Sequence, residues 1–208
     1  VCWINELLWR EFYKHVLVGY PRVSMHRAFR RETEALRWRD APADLVAWQQ
    51  GRTGIPLIDA AMRQLLATGW MHNRLRMVVA MYLTKNLLIN WREGERFFMQ
   101  HLIDGDLAAN NGGWQWSAST GTDAVPYFRL FNPLSQSERF DAEGRFIRHW
   151  LPELAGLSHR ELHNPATLGG LFSPVDYPAQ IVDLSASRER ALQAFKNLPK
   201  LPQEAVYV

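Results

Sequence analysis

The sequence predicts an all-α fold, and three observations carry this prediction. Apolar residues recur at helical spacing in several segments, most clearly between Gly54 and Gly69. Glycines and prolines mark where these segments begin and end. No convincing pair of strand-like runs and no internal repeat is present. With 208 residues and 47% hydrophobic composition, the chain can form one globular domain with a substantial core.

The first expected helix covers residues 1–18. Its apolar residues keep a near-helical spacing, and Pro21 follows its end. One face carries polar and aromatic side chains, namely Glu6, Trp9, Arg10 and Tyr13. By itself this pattern is typical of a solvated face bordered by a tryptophan. Residues 19–53 lack periodicity, so we expect a long irregular connection with short helical turns and with Trp38 near the surface.

Two helices are expected next. The first runs from Gly54 to Gly69, with Pro56 in its first turn and an apolar stripe formed by Ile58, Ala61, Met62, Leu65 and Leu66. The second opens in the segment Gly69 to Met77 and continues through Leu83. Its first turns hold Asn73, Arg74 and Arg76. Cations are unfavourable at a helix N-terminus, so these arginines need an outside partner.

The remaining helices are expected at 91–104, 144–151 and 185–198. In the first of these, Trp91 points inward, and the charged residues Arg92, Glu93, Glu95 and Arg96 form an ordinary solvated face. Between the helices, we expect a polar and partly basic loop that contains Ser135, Gln136, Glu138 and Arg139. Residues from about 163 to 208 are expected to be a tail that covers the core.

Charge and cysteine content restrict the function only weakly. The formal charge of +3 is compatible with a nucleic-acid partner but does not establish one. The single cysteine, Cys2, cannot form an internal disulfide, which fits a reducing compartment such as the cytoplasm. We find no signal peptide, no apolar run long enough for a membrane span and no metal-ligand cluster among the seven histidines.

The segment from Asp104 to Thr122, DGDLAANNGGWQWSASTGT, has the most unusual composition in the chain. It combines two carboxylates with paired asparagines, paired glycines and two tryptophans. Glycines inside an element often mark a close approach by another backbone or by a ligand. A plainer alternative is a helix that ends at the two glycines, capped by Asn110 and Asn111, with the tryptophans in the core.

This segment resembles, almost letter for letter, the flavin-binding segment of the DNA photolyase and cryptochrome family. The string ELLWREFY at residues 6–13 is similar to the family segment that contacts both the flavin and damaged bases. The resemblance covers nearly the whole chain and implies the all-α FAD-binding domain of that family. It also implies that residues 1–208 are the C-terminal part of a longer protein. In that protein, an α/β antenna domain with its pigment and a loop that grips the flavin phosphates would come first.

The resemblance implies FAD as the cofactor, active in its reduced form. The residues expected to contact it are Trp3, Arg10, Asn73, Arg76, Asp104, Gly105, Asp106 and Asn110. Asn110 would face the reactive nitrogen of the central ring, and Arg76 would pair with Asp104. A plain ion pair between Arg76 and Asp104 is an equally compatible interpretation.

The resemblance also implies an electron path and a substrate site. The path would run from the flavin through Trp114 and Trp91 to Trp38, although three such tryptophans are ordinarily packing residues. The substrate would be DNA with a flipped-out lesion, a family example of base flipping. The expected substrate and DNA contacts are Glu6, Trp9, Arg10, Tyr13, Asn73, Arg74, Met77, Trp116, Arg129, Ser135, Gln136 and Arg139.

Two residues indicate the subgroup. His72 is followed by Asn73, whereas relatives that repair (6-4) photoproducts have a second histidine there, and Asn110 is typical of photolyases rather than plant cryptochromes. We therefore expect a monomeric class I photolyase that splits cyclobutane pyrimidine dimers, with Asn110 and Glu6 among its catalytic residues. A photoreceptor of the cryptochrome type and a DNA-binding module without cofactor are the alternatives.

Overall fold

A computed structural model describes residues 2–122, 128–168 and 175–199. All regular elements within these ranges are helical, which confirms the predicted all-α class. The ten α-helices are α1 Cys2–Gly19, α2 Pro42–Gln49, α3 Pro56–Thr68, α4 Asn73–Met81, α5 Trp91–His101, α6 Leu107–Ala118, α7 Pro133–Phe140, α8 Arg145–Trp150, α9 His159–His163 and α10 Leu184–Lys196. A π-helical turn, Tyr82–Asn86, follows α4, and short 3₁₀ turns occupy Pro21–Met25, Arg31–Ala35, Pro152–Leu154 and Pro165–Leu168.

Helix α3 follows its sequence signals closely. Pro56 occupies the start of the helix, and Gly69 follows its end with a φ of +68°. The Gly69 N–H donates to the Leu65 carbonyl at 2.8 Å, which closes the last turn. One member of the expected apolar stripe was wrong: Leu66 is 46% exposed. It lies one position beyond Leu65, about 100° further around the helix, and therefore faces solvent.

The main core lies between α3, α4, α5 and α6. Its largest side chains include Trp48 from α2, Trp91 from α5 and Trp114 from α6. The Trp48 indole N–H donates to the Val79 carbonyl at 3.1 Å, so this buried polar group is satisfied. A smaller cluster, which contains Ala60, Ile147, Leu151, Leu154, Leu157 and Leu162, packs α3 against the C-terminal helices.

Helix α2 lies inside the connection that we expected to be irregular. It spans only about two turns, with Pro42 at its start and Trp48 fully buried near its end. Such a short helix shows too few repeats for its apolar periodicity to be recognised. The two 3₁₀ turns in this connection, Pro21–Met25 and Arg31–Ala35, agree with the expected short helical turns.

The expected solvated face of α5 is wrong for two of its four residues. Glu95 is only 2% exposed, and its carboxylate accepts a 3.2 Å hydrogen bond from the Asn111 amide. Arg92 is bound to the Glu34 carboxylate at 3.0 Å. The segment containing Glu34 folds over this side of α5 and removes it from solvent. The side chains of the other two residues, Arg96 and Glu93, are accessible to solvent as expected and form an ion pair at 2.9 Å.

The expected loop around Ser135 is also wrong, because this stretch is helix α7. Asn132 caps the helix: its side-chain oxygen accepts from the Leu134 and Ser135 amides at 2.9 and 3.3 Å. Pro133 occupies the start of the helix, where a missing N–H costs nothing. The Asn-Pro pair was the local signal for this helix start.

The described residues beyond 175 lie against α3 and the π-helical turn. The Tyr177 hydroxyl donates to the buried Asp59 carboxylate, and the Asn86 amide donates to the Ser187 hydroxyl at 2.9 Å. The Arg190 guanidinium also donates to the Asn86 carbonyl, at 2.6 Å. Polar contacts between residues far apart in sequence therefore attach α10 and the segment before it to the core.

Candidate functional site

Helix α6 carries most of the unusual segment and runs straight through its two glycines. It begins after Asp106, whose carboxylate accepts from the Ala109 amide at 2.9 Å, and it ends at Ala118, before Ser119, which has a φ of +59°. The alternative of a helix that stops at Gly112 and Gly113 is therefore wrong. Asn110 and Asn111 lie in the helix interior rather than at its C-terminal cap.

The two glycines differ in what surrounds them. A Cβ added at Gly112 would lie 2.1 Å from the Tyr13 ring, so the missing side chain lets α1 approach α6. A Cβ added at Gly113 meets no atom within 4 Å. A third glycine, Gly94 on α5, makes room for the Trp114 ring, which would lie 2.1 Å from an added Cβ. The expected close approach is thus made by aromatic rings at Gly112 and Gly94, while Gly113 adjoins open space.

Asp104 and Arg76 form the ion pair that the resemblance implied. The same guanidinium nitrogen, Nη2, lies 3.0 and 2.8 Å from the two Asp104 oxygens. Arg76 also donates from Nε to the Met71 carbonyl at 2.7 Å. These contacts join the turn before α6 to the start of α4. The Asp104 side chain nevertheless stays 48% exposed, so the pair is accessible to a ligand.

The two asparagines of α6 form hydrogen bonds with different partners. Asn110 donates from Nδ2 to the Glu95 backbone carbonyl at 2.9 Å, and within the described residues its Oδ1 accepts no hydrogen bond. Asn111 is buried and links the Glu95 carboxylate to Gln115, whose amide nitrogen donates to Asn111 Oδ1 at 2.8 Å. Gln115 in turn accepts from the Phe29 amide at 2.8 Å. This polar network was not expected from sequence, because it joins residues that are far apart in the chain.

Helix α1 presents its expected site residues to solvent. Trp3 is 73% exposed and Trp9 is 55% exposed, and Glu6 and Arg10 are exposed as well. Trp9 contacts the Phe12 and Tyr13 rings, with centroids 5.6 and 6.1 Å away. Of this face, the Tyr13 ring lies against α6 at Gly112. The open face leaves room for a ligand or for another part of a longer protein.

The three tryptophans of the expected electron path share the main core. Trp91 and Trp114 are buried in it, and Trp38 packs against it while remaining partly exposed. The ring nearest to Trp114 among the other tryptophans of the described chain is that of Trp48, at 6.0 Å between centroids. Sequence reasoning missed Trp48, because its contact with Trp114 depends on how α2 packs.

Arginines lie over aromatic rings at the end of α6 and between α4 and α7. The Arg129 guanidinium lies over the Trp116 ring at 5.1 Å, and the Arg74 guanidinium lies over Phe140 at 4.8 Å. Arg139 lies over the same Phe140 ring at 5.2 Å. Ser135 and Gln136 belong to the same helix as Arg139. Phe140 was missed, although the adjacent Arg139-Phe140 pair was a weak signal.

The structure therefore brings some of the expected site residues together and leaves others apart. Around the start of α6 lie the residues expected to contact FAD, namely Arg76, Asp104, Gly105, Asp106 and Asn110. Asn73 and Met77 lie on α4, one on each side of Arg74 and Arg76. The Tyr13 ring of α1 contacts this region at Gly112, and Trp3, Glu6 and Arg10 are exposed to solvent.

The part of the chain that the structure describes contains neither a metal-ligand group nor a membrane-spanning helix. It contains no group of three or more histidine, cysteine or acidic side chains arranged to hold a metal ion. None of its helices combines the length and apolar character needed to cross a membrane.

Comparison with known proteins gives a consistent match. The family model for the FAD binding domain of DNA photolyase matches residues 3–197. The deoxyribodipyrimidine photo-lyase of Escherichia coli strain K12 is 57% identical over 197 residues, which are 93% of this chain and 41% of that protein. The chain thus spans about two fifths of the length of this curated relative.

Similar solved structures belong to the same family as these sequence matches. An archaeal photolyase from Sulfolobus tokodaii with two FAD molecules has a TM-score of 0.88 and 40% identity, over 94% of this chain and 44% of its own. A cryptochrome from Synechocystis has a TM-score of 0.85 and 37% identity, over 92% of this chain and 41% of its own. On its sequence from residue 3 to residue 197 and on its helical architecture, the chain belongs to the family of FAD-binding domains of DNA photolyases.

Proposed function

We propose that residues 1–208 are the FAD-binding and catalytic domain of a longer class I deoxyribodipyrimidine photolyase, with residues from about 163 onward as a covering tail. The activity would be light-driven repair of cyclobutane pyrimidine dimers in DNA. The observation that carries this proposal is the match to named photolyases across 93% of the chain. We further propose that the protein is monomeric and cytoplasmic, and associates with the nucleoid when it binds DNA.

The residues around the start of α6 fit FAD. Gly113 leaves open space beside the helix, and the Asn110 Oδ1 atom remains available for a ligand. Asp104 is half exposed although it is paired with Arg76. The residues that would hold the cofactor are Trp3, Arg10, Asn73, Arg76, Asp104, Gly105, Asp106 and Asn110. When bound in its reduced form, FAD supplies the excited-state electron that splits the dimer.

The protein residues would orient and tune this chemistry. Asn110 is held by the Glu95 carbonyl, so its Oδ1 would be presented to the cofactor in a fixed position. The Arg76 guanidinium would provide positive charge near a reduced flavin, with Asp104 limiting its effect. Trp114, Trp91 and Trp38 would carry an electron inward from the protein surface, because the three share one core from a buried end to a partly exposed end.

The exposed residues would bind the DNA. Trp9 and Trp116 would offer stacking faces to the flipped bases, which contribute roughly 1–3 kcal/mol per base in single-strand binding. Glu6, Tyr13, Asn73 and Met77 would contact the base edges and faces. Arg10, Arg74, Arg129 and Arg139, with Ser135 and Gln136, would bind the phosphates, which position the strand without reading its sequence.

A cryptochrome-like photoreceptor is the second candidate, and the similarity to the Synechocystis cryptochrome favours it. Such a receptor would use the same flavin and tryptophans for signalling without repairing DNA. The presence of asparagine at position 110 supports repair over this alternative.

One experiment separates the two candidates. The full-length protein is purified, its flavin spectrum is recorded before and after blue light, and the same sample is incubated with dimer-containing DNA in light and in darkness. Light-dependent loss of dimers supports the photolyase. Flavin photoreduction without loss of dimers would support the receptor, and the absence of bound flavin after reconstitution would contradict both.

The electron path can be tested in the same protein. We expect Trp38→Phe to slow flavin photoreduction by at least ten-fold, because phenylalanine is much harder to oxidise than tryptophan. Trp70→Phe is the matched control, since Trp70 is also partly exposed but lies outside the expected path. Equal photoreduction by the two variants would contradict the role of Trp38.

A further inference from the structure

Phe140 lies at the end of α7, and two guanidinium groups lie over its ring. Its side chain is 51% exposed. The Cζ atoms of Arg74 and Arg139 lie 4.8 and 5.2 Å from the ring centroid, within the range of a cation–π contact. Arg139 precedes Phe140 in α7, whereas Arg74 comes from the first turn of α4. The ring therefore joins two cations that are far apart in sequence.

These two arginines have no acidic partner in the described part of the chain. Within the described residues, neither the Arg74 nor the Arg139 guanidinium forms an ion pair or donates a hydrogen bond. By contrast, Arg76, two positions after Arg74, is bound to both oxygens of Asp104. Arg74 also stands at a helix N-terminus, where a positive charge is unfavourable. Both features favour an external anion at Arg74.

Whether an arginine can bind such an anion depends on whether its present contact occupies its N–H donors. A carboxylate partner occupies the N–H donors of a guanidinium and competes with phosphate for them. An aromatic ring attracts the face of the guanidinium and leaves the donors in its plane free. A second ring, that of Phe131, lies 5.8 Å from the same Arg74 group. Arg74 is thus restrained by rings and still able to bind a phosphate.

We propose that Phe140 is a positioning residue for DNA: its ring holds Arg74 and Arg139 in the orientation in which they bind the phosphates beside the lesion. The inference rests on the proposed function and adds a residue to it. Ordering a long side chain on binding lowers affinity by roughly two- to ten-fold, and a side chain that is already held avoids part of this loss. Phosphate contacts carry no sequence information, so the effect extends to undamaged DNA.

The test uses two substitutions in the full-length protein. Phe140→Leu removes the aromatic ring and keeps an apolar side chain, and Phe140→Tyr keeps the ring and serves as the matched control. Dissociation constants are measured for a short duplex with one cyclobutane pyrimidine dimer and for the same duplex undamaged, at fixed salt. We expect Phe140→Leu to weaken binding of both duplexes by roughly three- to ten-fold, and Phe140→Tyr to stay within two-fold of wild type.

A second background separates positioning from direct stacking on DNA. In the Arg74→Ala, Arg139→Ala double variant, Phe140 has no guanidinium left to hold. We therefore expect Phe140→Leu to cause no further loss of affinity there. If the full loss persists in this background, the ring contacts DNA itself and the inference is overturned. Flavin absorbance and thermal unfolding of each variant verify that the exposed substitution leaves the fold intact.

The wild-type protein distinguishes failure of this inference from failure of the proposed function. If wild type neither prefers nor repairs the dimer-containing duplex, the proposed function fails, and the inference fails with it. If wild type binds and repairs the dimer while Phe140→Leu binds both duplexes as tightly as wild type, the inference alone is overturned. A loss in Phe140→Tyr as large as that in Phe140→Leu also contradicts it.

Discussion

Single residues of α6 show how neighbouring, chemically identical positions acquire different roles. Gly112 lies against the Tyr13 ring, and any side chain there would collide with α1. A Cβ added at Gly113 would meet no atom of another segment within 4 Å, and this glycine lies in the interior of the helix. Glycine in a helix interior costs about 0.5–1 kcal/mol relative to alanine, so Gly113 is unfavourable for the protein without its ligand.

Alanine substitutions at the two glycines should therefore change stability in opposite directions. We expect Gly113→Ala to raise the free energy of unfolding of the flavin-free protein by about 0.5–1 kcal/mol. Gly112→Ala should lower it by about 1–3 kcal/mol, because the added methyl group forces the Tyr13 ring aside. Urea denaturation measures both. Equal effects of the same sign would mean that α1 does not pack on α6.

Asp59 is a buried carboxylate surrounded by donors. It accepts hydrogen bonds from the Thr53 hydroxyl at 2.6 Å, from the Thr53 and Gly54 amides, and from the Tyr177 hydroxyl. Burial raises the pKa of Asp59, and the hydrogen bonds from Thr53 and Tyr177 oppose this change. The folded state therefore binds this proton more tightly than the unfolded state does. The contribution of Asp59 to stability falls as pH rises from its ordinary pKa through the raised one, and is constant above it.

The substitution Asp59→Asn tests whether the pKa of Asp59 is raised in the folded protein. The substitution should lower the free energy of unfolding at neutral pH by about 2–3 kcal/mol, because the amide NH₂ group faces donors and leaves some of them unsatisfied. The difference between wild type and variant should widen on acidification, since only wild type gains from protonating the carboxyl. Urea denaturation at a series of pH values measures this difference. A difference that does not change with pH would contradict the raised pKa.

At the scale of elements, a buried hydrogen bond connects α7 to α9. The Ser137 hydroxyl of α7 lies 2.6 Å from His163 Nδ1 of α9, and both residues are buried. The other ring nitrogen, Nε2, lies 3.3 Å from the Ala142 carbonyl, which can only accept. A neutral histidine therefore donates from Nε2 and accepts the serine proton at Nδ1. Through this pair, a C-terminal helix supports the helix that carries Arg139.

Removing either partner should weaken this connection. We expect Ser137→Ala and His163→Ala each to lower the free energy of unfolding by about 1–3 kcal/mol. The double variant should lose less than the sum of the two single losses, because the second substitution finds the hydrogen bond already absent. A double-mutant cycle by chemical denaturation measures the coupling. Strict additivity would show that the pair contributes nothing to stability.

At the scale of the whole molecule, the location of charge matters more than its total. The formal net charge is only +3, yet two arginines on the surface around Phe140 have no acidic partner within the described ranges. Many of the remaining arginines are neutralised locally, as in the pairs Arg92–Glu34 and Arg63–Glu153. The proposed DNA site is therefore one of the places where arginines are left without an acidic partner in the described part of the chain.

This distribution predicts the salt dependence of DNA binding by the full-length protein. If Arg74, Arg129 and Arg139 each bind one phosphate, they contribute about −3 to the slope of log affinity against log salt concentration. Arg139→Ala should reduce the magnitude of the measured slope by about 1. Arg96→Ala is a suitable control, because Arg96 is paired with Glu93 and should leave the slope unchanged. An unchanged slope in Arg139→Ala would exclude a phosphate contact at this residue.

Helices with clear end signals or regular periodicity, including the short α8, could be predicted from sequence, whereas α2, α7 and α9 were missed. Helix α3 matched its proline and glycine signals, because those residues act through local backbone geometry. Helix α2 and the buried side of α5 were missed, because Trp48 and Glu95 are placed by distant segments. The Arg76–Asp104 pair came from the family resemblance. The contact of Phe140 with Arg74 required the packing of α7 against α4.

The sequence by itself determined the helical class and the family, because local periodicity and a long motif are readable without coordinates. It also gave the proposal for which residues bind FAD. Only the tertiary structure decided that α6 continues through its glycines, that Glu95 is buried and that two arginines share one aromatic ring. The physical reason is that burial and charge pairing are properties of contacts between distant segments. Such contacts exist only once the helices have packed.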